Sequence, residues 1–486
     1  MRKLQSVADF LKKPKAILAI ILLAFFLKGV FVAAVFPIFT GQDEARHYSS
    51  LQYLAEPFKK NWKLTERKAK NNRDTIADYN FSEEIINTGL ATDFDTVRHK
   101  SYNTADFSQG FDGKNEAEIN SGKWQPFNFF SSPDTAGRSL YHTLGSKIEK
   151  SFASSSILVR FFLARIFSVF LGTLAVLFAY LIAKNIGFKE KYSLTLTAIV
   201  SFQPKLAMYS ANINYDTLLI PLFFLFTFGA VLSFKNGLNW KNAAIMLFSI
   251  AAGIPTKGTA IVLLAVFIIL VAYHLYEKMT DKKNVWKYFL LFSAGTAVLL
   301  IAANTKVNLV GLMPYKESLA NTFALLLKYI NKSLTLGQFG LSSRTYWGAL
   351  DWNSGNITTN IIDFVWIIQT FSIAGLAIFF FSKKKFDFLP EKKYVVFLIS
   401  MLATLQLGIR IFDWKVYMES GSLDLGTPGR YFLPNLAAHI ILVFIGLGAL
   451  LKKEKYFEYC ILAGMILMFA FSTYLIFNVV IPRFYL

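Results

Sequence analysis

Residues 16–47 read AILAIILLAFFLKGVFVAAVFPIFTGQDEARH, an apolar run followed closely by an Asp-Glu pair. The apolar part, residues 16–36, matches the roughly 20 residues that a helix needs to cross a bilayer. Basic residues precede it, so the positive-inside rule predicts a cytoplasmic N-terminus. They are Arg2, Lys3, Lys12, Lys13 and Lys15. The chain is therefore expected to emerge on the outer side just before Asp43 and Glu44.

Composition extends this pattern to the whole chain. Its 486 residues are 54% hydrophobic and 17% charged, which is too apolar for a single soluble core. The net charge is +20, and the lysines fall in short loops between apolar runs rather than on a polar domain of the kind that binds nucleic acid. The single cysteine, Cys460, allows no intrachain disulfide. We predict a multi-pass membrane protein that binds no nucleic acid.

The alternation of apolar runs and lysine-bearing loops predicts an all-α bundle of about eleven transmembrane helices. Five parts follow: the cytoplasmic N-terminus and first helix (1–36), a large extracytoplasmic loop (37–156), helices 2 to 7 (157–303), a second extracytoplasmic segment (304–360) and helices 8 to 11 (361–486). Two segments of the large loop, 66–79 and 82–94, have the pattern of amphipathic helices at the bilayer surface. The role of residues 59–135 is not readable from the sequence.

Residues 40–58, TGQDEARHYSSLQYLAEPF, predict a short helix that Pro57 would end. On that helix Asp43, Arg46 and His47 would share one face, because three or four residues make about one turn. Asp43 would lie at the positive end, where an ionised carboxylate is favoured, and a general base must be ionised. The alternative is ordinary helix capping by two acids, with Arg46 and His47 as surface partners.

Two charged residues are predicted at the outer membrane level further along the chain. Asp216 ends the short turn ANINYD, residues 211–216. Lys257 lies in GIPTKGT, residues 253–259, where glycine and proline break a helix. Irregular backbone at membrane depth usually lines a cavity, so Lys257 is a candidate phosphate contact. The simpler alternatives are that Asp216 caps the next helix and that Lys257 snorkels to the surface.

Two arginines are predicted at the same level. Arg344 lies among aromatic residues, where it could bind anionic lipid, although interfacial arginines are common there. Arg430 and Tyr431 belong to GRYFLP, residues 429–434, directly before an apolar run. A surface arginine can hold a phosphate through paired N–H donors. The alternative for Arg430 is a helix-start arginine near lipid headgroups.

The acidic pair and its histidine resemble a motif of the GT-C superfamily of integral membrane glycosyltransferases. These enzymes place an acidic pair at the start of the first outside loop. The chain is most similar to a bacterial branch with Asp-Glu-x-x-His at this place, matched here by Asp43, Glu44 and His47.

Other strings carry the same resemblance along the membrane part of the chain. They are Asn214-Tyr215-Asp216, Phe339-Gly340 followed by Trp347 and Asp351, and Gly429-Arg430-Tyr431-Phe432-x-Pro434. The chain departs from the family where Pro-x-Tyr-Tyr is frequent, because Tyr141 and His142 lack the proline. We interpret these two residues as an interfacial anchor.

The resemblance implies a GT-C-like fold and an outward-facing enzyme whose donor is a sugar on a polyprenyl phosphate such as undecaprenyl phosphate. In this hypothesis Asp43 is the base of an inverting displacement, and Glu44 orients the acceptor or replaces Asp43. Arg46, Lys257 and Arg430 would stabilise the leaving phosphate, and His47 would fix a carboxylate. Asp216, Arg344 and Tyr431 complete the predicted substrate contacts. No cofactor is predicted. A divalent metal stays an open alternative, but no metal-ligand spacing accompanies His47 to support it.

The expected partners are the donor lipid, membrane lipids and a glycan or polymer acceptor, such as cell-wall polysaccharide, teichoic acid or a lipid-linked glycan. The expected location is a bacterial plasma membrane with the active site outside. Three alternatives remain at this stage: a lipid-linked oligosaccharide polymerase, a lipid or glycan flippase, and a non-catalytic membrane scaffold. A flippase would be expected to show internal repeats and paired polar breaks near the midplane, which are not visible here.

Overall fold

The computed structural model describes residues 13–55, 83–92, 139–278, 319–333, 335–348, 359–383, 385–420 and 428–485. Within these ranges the chain is built of helices and contains no strand. The prediction of an all-α polytopic membrane protein is therefore confirmed. Three predicted features lie outside the described residues: the helix at 66–79, the crossing at 288–303 and Asp351.

We number the helices in chain order. They are α1 (Pro14–Val35), α2 (Glu44–Ala55), α3 (Glu83–Ala91), α4 (Leu140–Ser151), α5 (Ile157–Asn185), α6 (Glu190–Phe202), α7 (Pro204–Ser210), α8 (Asp216–Asn236), α9 (Trp240–Thr256), α10 (Ile261–Lys278), α11 (Leu319–Ser333), α12 (Leu336–Trp347), α13 (Thr359–Phe381), α14 (Lys392–Ser420), α15 (Leu436–Leu451), α16 (Glu454–Leu475) and α17 (Ile481–Tyr485). Short 3-10 turns occupy Gly258–Ala260 and Gly429–Asn435, and a π turn occupies Ile476–Val480.

Eight helical stretches of the described chain are long and apolar enough to cross a membrane. They are Pro14–Val35, Ile157–Asn185, Asp216–Asn236, Gly258–Glu277, Ile361–Phe381, Lys392–Met418, Gly429–Leu451 and Glu454–Tyr485. Two further predicted crossings correspond to shorter helices, α6 with α7 and α9. Large apolar side chains such as Leu23, Ile373 and Ile466 are exposed on the long helices, as expected for surfaces that face lipid.

One predicted crossing, residues 192–209, is divided into two helices. α6 ends at Phe202 and α7 begins at Pro204, because proline has no N–H to donate and its ring clashes with the preceding turn. The side chain of Gln203 fills the break: its Oε1 accepts from the backbone N–H of Leu206 at 2.6 Å, and its Nε2 donates to the carbonyl of Tyr346 at 2.8 Å. The break thereby joins this helix pair to α12.

A second break separates α9 from the next crossing, as the glycines and proline of residues 253–259 predict. Lys257 has extended backbone (φ −156°, ψ 131°), and its N–H donates to the carbonyl of Gly253 at 2.9 Å. The chain then makes one 3-10 turn before α10 begins. The helix break therefore holds the Lys257 side chain at the end of α9 and away from the lipid-facing sides of both helices, since it is buried against Asp216.

The three helices between α1 and α5 pack on the bundle. α2 packs on α4, and α4 packs in turn on α5. α3 falls within the predicted amphipathic segment 82–94, and it buries Glu84, Ile85 and Thr88. These helices thus lie at the end of the bundle where α1 ends and α5 begins.

Candidate active site

A tight turn leads from α1 into α2 and holds the acidic pair. Phe39 and Asp43 both have left-handed backbone, with φ of 65° and 57°. Asp is one of the few non-glycine residues that tolerate this region. The hydroxyl of Thr40 donates to the carbonyl of Pro37 at 2.8 Å and closes the turn from inside. Asp43 therefore lies just before the helix, with its carboxylate not used as a cap.

Both carboxylate oxygens of Glu44 are satisfied by hydrogen bonds within the protein. Its two carboxylate oxygens accept from Arg165, Oε1 from Nε at 2.8 Å and Oε2 from Nη2 at 2.7 Å. They also accept from the backbone N–H groups of Gly41 (3.0 Å) and Ile213 (3.1 Å). Arg165 also donates, through Nη1 and Nη2, to the carbonyls of Ala33, Phe36 and Pro37. Glu44 is 1% exposed, so this pair ties the turn, α2 and α5 together in the protein interior.

The carboxylate of Asp43 keeps unused hydrogen-bonding capacity among the described residues. Its Oδ2 lies 3.6 Å from Nη2 of Arg430, and the side chains are 31% and 13% exposed. No described residue gives the Asp43 carboxylate a hydrogen bond. The Nε atom of Arg430 is buried without a hydrogen-bond partner in the described part of the chain. Its Nη2 donates a long bond (3.4 Å) to the hydroxyl of Tyr431, and Tyr209 interacts with the same guanidinium. Both charges thus keep bonding capacity for a ligand.

Arg430 reaches this position through a close contact of backbones. The 3-10 turn Gly429–Asn435 lies against α12, and the N–H of Gly429 donates to the hydroxyl of Thr345 at 2.6 Å. A Cβ atom at position 429 would lie 2.0 Å from the carbonyl oxygen of Ser342, so only glycine fits there. The glycine before Arg430 thereby allows the turn to seat against α12.

Asp216 and Lys257 form a second ion pair beside the first. Lys257 Nζ donates to Oδ1 of Asp216 at 2.7 Å. The ammonium group also lies over two aromatic rings, 4.8 Å from the centroid of Tyr215 and 4.4 Å from that of Tyr431. Arg430 contacts the same Tyr431 ring at 5.1 Å. Tyr431 therefore lies between the two cations and joins both pairs into one constellation.

His47 lies beside this constellation and contacts a histidine. Its Nδ1 is 2.9 Å from Nε2 of His142, and its ring packs edge-on against Tyr215 at 4.6 Å between centroids. Burial, followed by the proximity of His142 and the charges of Lys257, Arg46 and Arg430, lowers the pKa of His47 well below its usual value. His47 is therefore neutral at pH 7. Sequence reasoning placed it against a carboxylate, whereas the described contact is with His142.

Several residues near the site are not identified by any sequence motif. The hydroxyl of Tyr209 donates to Oε1 of Gln42 and lies within electrostatic reach of Arg430 and Asp43. Arg160 is fully buried between two carboxylates that belong to different loop helices, Glu84 and Glu149. The hydroxyl of Tyr48 also donates to Glu149. No sequence spacing marks these pairs, because all but the Arg160–Glu149 pair join elements far apart in the chain.

The remaining predicted residues lie around the constellation. Arg46 is partly buried on α2 and contributes to the positive potential at His47. Arg344 lies on α12, which packs against the turn carrying Arg430, and it forms no ion pair with a described carboxylate. Asp413, on α14, lies apart from these residues and accepts from the hydroxyl of Tyr329 at 3.0 Å. The structure thus brings together Asp43, Asp216, Lys257, Arg430 and Tyr431.

A cavity of about 490 Å³ lies beside the turn that carries Arg430, because Phe432 of that turn belongs to its lining. The lining is mainly apolar and also includes Trp347 and Leu402, with His439 and Gln369 as polar members. His439 is held by the hydroxyl of Tyr346 at 2.8 Å and by Gln369 at 3.3 Å. The turn therefore carries a cation and also borders an apolar cavity.

In the described ranges, no group of three or more His, Cys, Asp or Glu side chains lies close enough together to hold a metal ion. Asp43 and Asp216 each face a cation instead.

One family model matches the chain. Residues 144–311 match the dolichyl-phosphate-mannose-protein mannosyltransferase family. That family is of the GT-C kind, so the match supports the GT-C superfamily and indicates a membrane glycosyltransferase that depends on a polyprenyl-phosphate sugar. The matched segment contains Asp216 and Lys257 but neither Asp43 nor Arg430. Comparisons with curated proteins and with solved structures give no significant match.

Proposed function

We propose that this protein is an inverting glycosyltransferase that moves one sugar from a polyprenyl phosphate to an extracytoplasmic acceptor. The observation that carries the proposal is the open pair: Asp43, a carboxylate to which no described residue donates, lies 3.6 Å from Arg430, a guanidinium whose Nε has no partner among the described residues. Such a pair supplies a base for the acceptor and an anion site for the donor, side by side. The match over residues 144–311 supports the donor class.

The donor phosphate would bind between the two cations. Arg430 can offer Nε and Nη2 together, and Lys257 adds a second positive charge against the same Tyr431 ring. Fixed cations around the departing phosphate stabilise charge as it develops, which is often the largest single contribution to catalysis. When no donor is bound, Asp43 partly neutralises Arg430, and a bound phosphate would take over that role.

The reaction then needs one displacement. Asp43 takes the proton of an acceptor hydroxyl as the acceptor oxygen forms a bond to the anomeric carbon. The bond from that carbon to the phosphate oxygen breaks at the same time, and the lipid phosphate leaves with the electron pair. A single displacement from the opposite face inverts the anomeric configuration. Glu44, with every oxygen already occupied by Arg165 and backbone N–H groups, holds the turn in place rather than contacting the acceptor.

The tail of the donor lipid would lie in the apolar cavity beside Phe432. Its volume of about 490 Å³ suits a few isoprene units, and the rest of the tail would extend into the bilayer. Because Phe432 is two residues from Arg430, a lipid in this cavity would have its phosphate near the cations. We further propose a bacterial plasma membrane as the location, with the site outside, on the strength of the lysine distribution. Wall polysaccharide, teichoic acid and lipid-linked glycan are the acceptor classes to test.

Reconstituted protein tests the proposal against its rivals. Vesicles would contain undecaprenyl phosphate bearing a radiolabelled monosaccharide, with each acceptor class supplied outside. The proposal requires one labelled sugar per acceptor site and inverted configuration at that sugar. A ladder of products growing from a lipid-linked oligosaccharide would indicate a polymerase. Movement of the labelled lipid between leaflets without acceptor labelling would indicate a flippase, and either result would overturn the proposal.

A further inference from the structure

The two histidines at the site form a chain of hydrogen bonds whose direction can be read. The backbone N–H of Ser139 points to Nδ1 of His142 at 3.3 Å, and the Ser139 hydroxyl lies 2.8 Å from the same atom. A backbone N–H can only donate, so Nδ1 of His142 is an acceptor and its proton lies on Nε2. This contact is part of the capping box that begins α4, so it is built into the helix start.

The direction carries over to His47. The His142 Nε2–H donates to Nδ1 of His47 across 2.9 Å, which leaves the His47 proton on Nε2. A protonated His47 would place two N–H groups against each other, so the pair keeps His47 neutral as well as fixing its tautomer. Nε2 of His47 has no hydrogen-bond partner among the described residues. The His47 ring is held edge-on by Tyr215, which also contacts the His142 ring and the Lys257 ammonium group.

We infer that His142 is a positioning residue that fixes His47 with its proton on Nε2, so that His47 offers a neutral hydrogen-bond donor to a phosphate oxygen of the donor lipid. The inference rests on the proposed function for the identity of the ligand. The groups that act most strongly on His47 are His142, the cations Lys257, Arg46 and Arg430, and the ring of Tyr215. Two of the cations face a carboxylate, Lys257 facing Asp216 and Arg430 facing Asp43. Three cations against these two carboxylates leave the set positive, which favours an anion. A neutral N–H donor then adds direction without another charge.

The fixed tautomer of His47 also limits which residue can act as the base. An Nε2–H tautomer cannot accept a proton at Nε2, and Nδ1 is occupied by His142. His47 therefore cannot serve as the base that activates the acceptor, which leaves that task to Asp43. His142, interpreted from the sequence as an interfacial anchor, is instead fully buried.

The tautomer can be measured without any transfer reaction. Protein labelled with nitrogen-15 in its five histidine side chains would be studied by NMR in lipid nanodiscs at pH 7, with assignments from His47→Gln and His142→Gln. We expect both residues to be neutral with the proton on Nε2. A His47 signal with the proton on Nδ1, or an imidazolium signal at pH 7, would overturn the inference whatever the enzyme transfers.

The phosphate contact is measured separately, as binding of undecaprenyl phosphate without a sugar. His47→Ala should weaken binding about tenfold, because a hydrogen bond to a charged group is worth ~1.5–3 kcal/mol. His47→Gln should largely keep affinity, since its amide N–H can replace Nε2–H. His142→Gln can still donate to His47, whereas His142→Leu should give a mixture of His47 tautomers and weaker binding. Equal affinity of His47→Ala and unaltered protein would contradict the inference.

A matched control separates these effects from general damage to a buried ring. His274 is also buried, and its Nε2 lies 3.1 Å from the hydroxyl of Ser233 on another part of the bundle. His274→Gln should leave both the His47 signal and lipid binding unchanged. If sugar transfer is absent while the tautomer and phosphate binding are as expected, the proposed function fails and the inference about the pair stands.

Discussion

Two adjacent carboxylates, Glu44 and Asp43, have opposite surroundings. Glu44 is buried, receives four hydrogen bonds from Arg165 and two backbone N–H groups, and has no capacity left. Asp43 receives no hydrogen bond from a described residue, is partly exposed, and faces a guanidinium at 3.6 Å. A buried charge is tolerated only when its partners are complete. A partly exposed charge with incomplete partners is therefore the one to connect with a ligand.

The same contrast separates the two arginines. Arg165 donates to a carboxylate and to three backbone carbonyls that end α1, so it organises the fold. Arg430 has a buried Nε without a partner in the described chain. Completeness of hydrogen bonding thus separates a satisfied ion pair, Glu44 with Arg165, from an unsatisfied one, Asp43 with Arg430. The two carboxylates are nevertheless neighbours in the sequence. The following variants test that division.

The largest effect is expected from Asp43→Asn. Loss of the general base should lower the transfer rate by about 10²–10⁴-fold. Thermal stability should change little, because Asn fits left-handed backbone and no described residue gives the Asp43 carboxylate a hydrogen bond. Donor binding should be kept or become tighter, because the variant no longer places a carboxylate beside Arg430 where the phosphate would bind. Initial rates and lipid binding of the reconstituted variant measure this. Asp363→Asn, at an exposed carboxylate on α13, is the matched control. Full activity of Asp43→Asn would end the assignment of the base.

Arg430→Lys should come next, with transfer reduced by about 10²-fold, the loss seen when one donor to a developing oxyanion is removed. Lysine keeps the charge but cannot offer two parallel donors. The control is Arg410→Lys, since Arg410 lies on α14 and faces Asp413 at 3.8 Å. The double variant with Asp43→Asn should lose less than the sum of the two single losses, as for residues acting in one step. Strict additivity would argue that the open pair does not act as a unit.

Glu44→Gln should affect stability rather than chemistry. Removing one partner of a buried ion pair typically costs ~3–5 kcal/mol, because the other charge stays buried without compensation. We expect a clearly lower unfolding temperature in detergent, with the rate per folded molecule changed less than by Asp43→Asn. Tryptophan fluorescence during heating and activity normalised to the folded fraction measure the two. A stable Glu44→Gln protein without transfer would reverse the roles of the two carboxylates.

The smallest effect concerns pH and His47. Burial and the neighbouring His142 and cations lower the pKa of His47 in the folded state. The unfolded chain therefore takes up a proton near the usual histidine pKa of ~6.5, while folded His47 does not. Its contribution to stability is complete above that pH and is lost as the pH falls toward the lowered folded value. The unfolding temperature should decline between pH 7.5 and 5.5, and His47→Gln should reduce that decline. An identical slope in both proteins would exclude this contribution.

Much of the fold is readable in the sequence because lipid imposes a simple rule. An apolar run of about twenty residues becomes a helix, and lysines mark its cytoplasmic end. The break at Lys257 was predictable for the same reason, since glycine and proline interrupt the run. The split at Pro204 was not predicted, because a proline inside an apolar run is compatible with either a kink or a new helix. Gln203 decides the matter by bonding to Leu206 and Tyr346.

The site was predictable only in part. Asp43 and Arg430 are marked by local strings, and the structure places them together. Which acid of the pair is available could not be predicted, because that depends on Arg165, a residue on another helix. His142 and Tyr209 escaped for the same reason: their partners, His47 and Gln42, are distant in the chain. Local strings mark candidates, whereas completeness of bonding needs the tertiary contacts.

The left-handed backbone of Asp43 has a consequence for the variation that this position can accept. Alanine, glutamate or a β-branched residue there would oppose the φ of 57° as well as alter the side chain, so their effects would mix two causes. Glycine and asparagine preserve the turn. Homologous chains that have abandoned the reaction while keeping this architecture should therefore show one of those two residues at the equivalent place, which gives a simple way to recognise inactive paralogues.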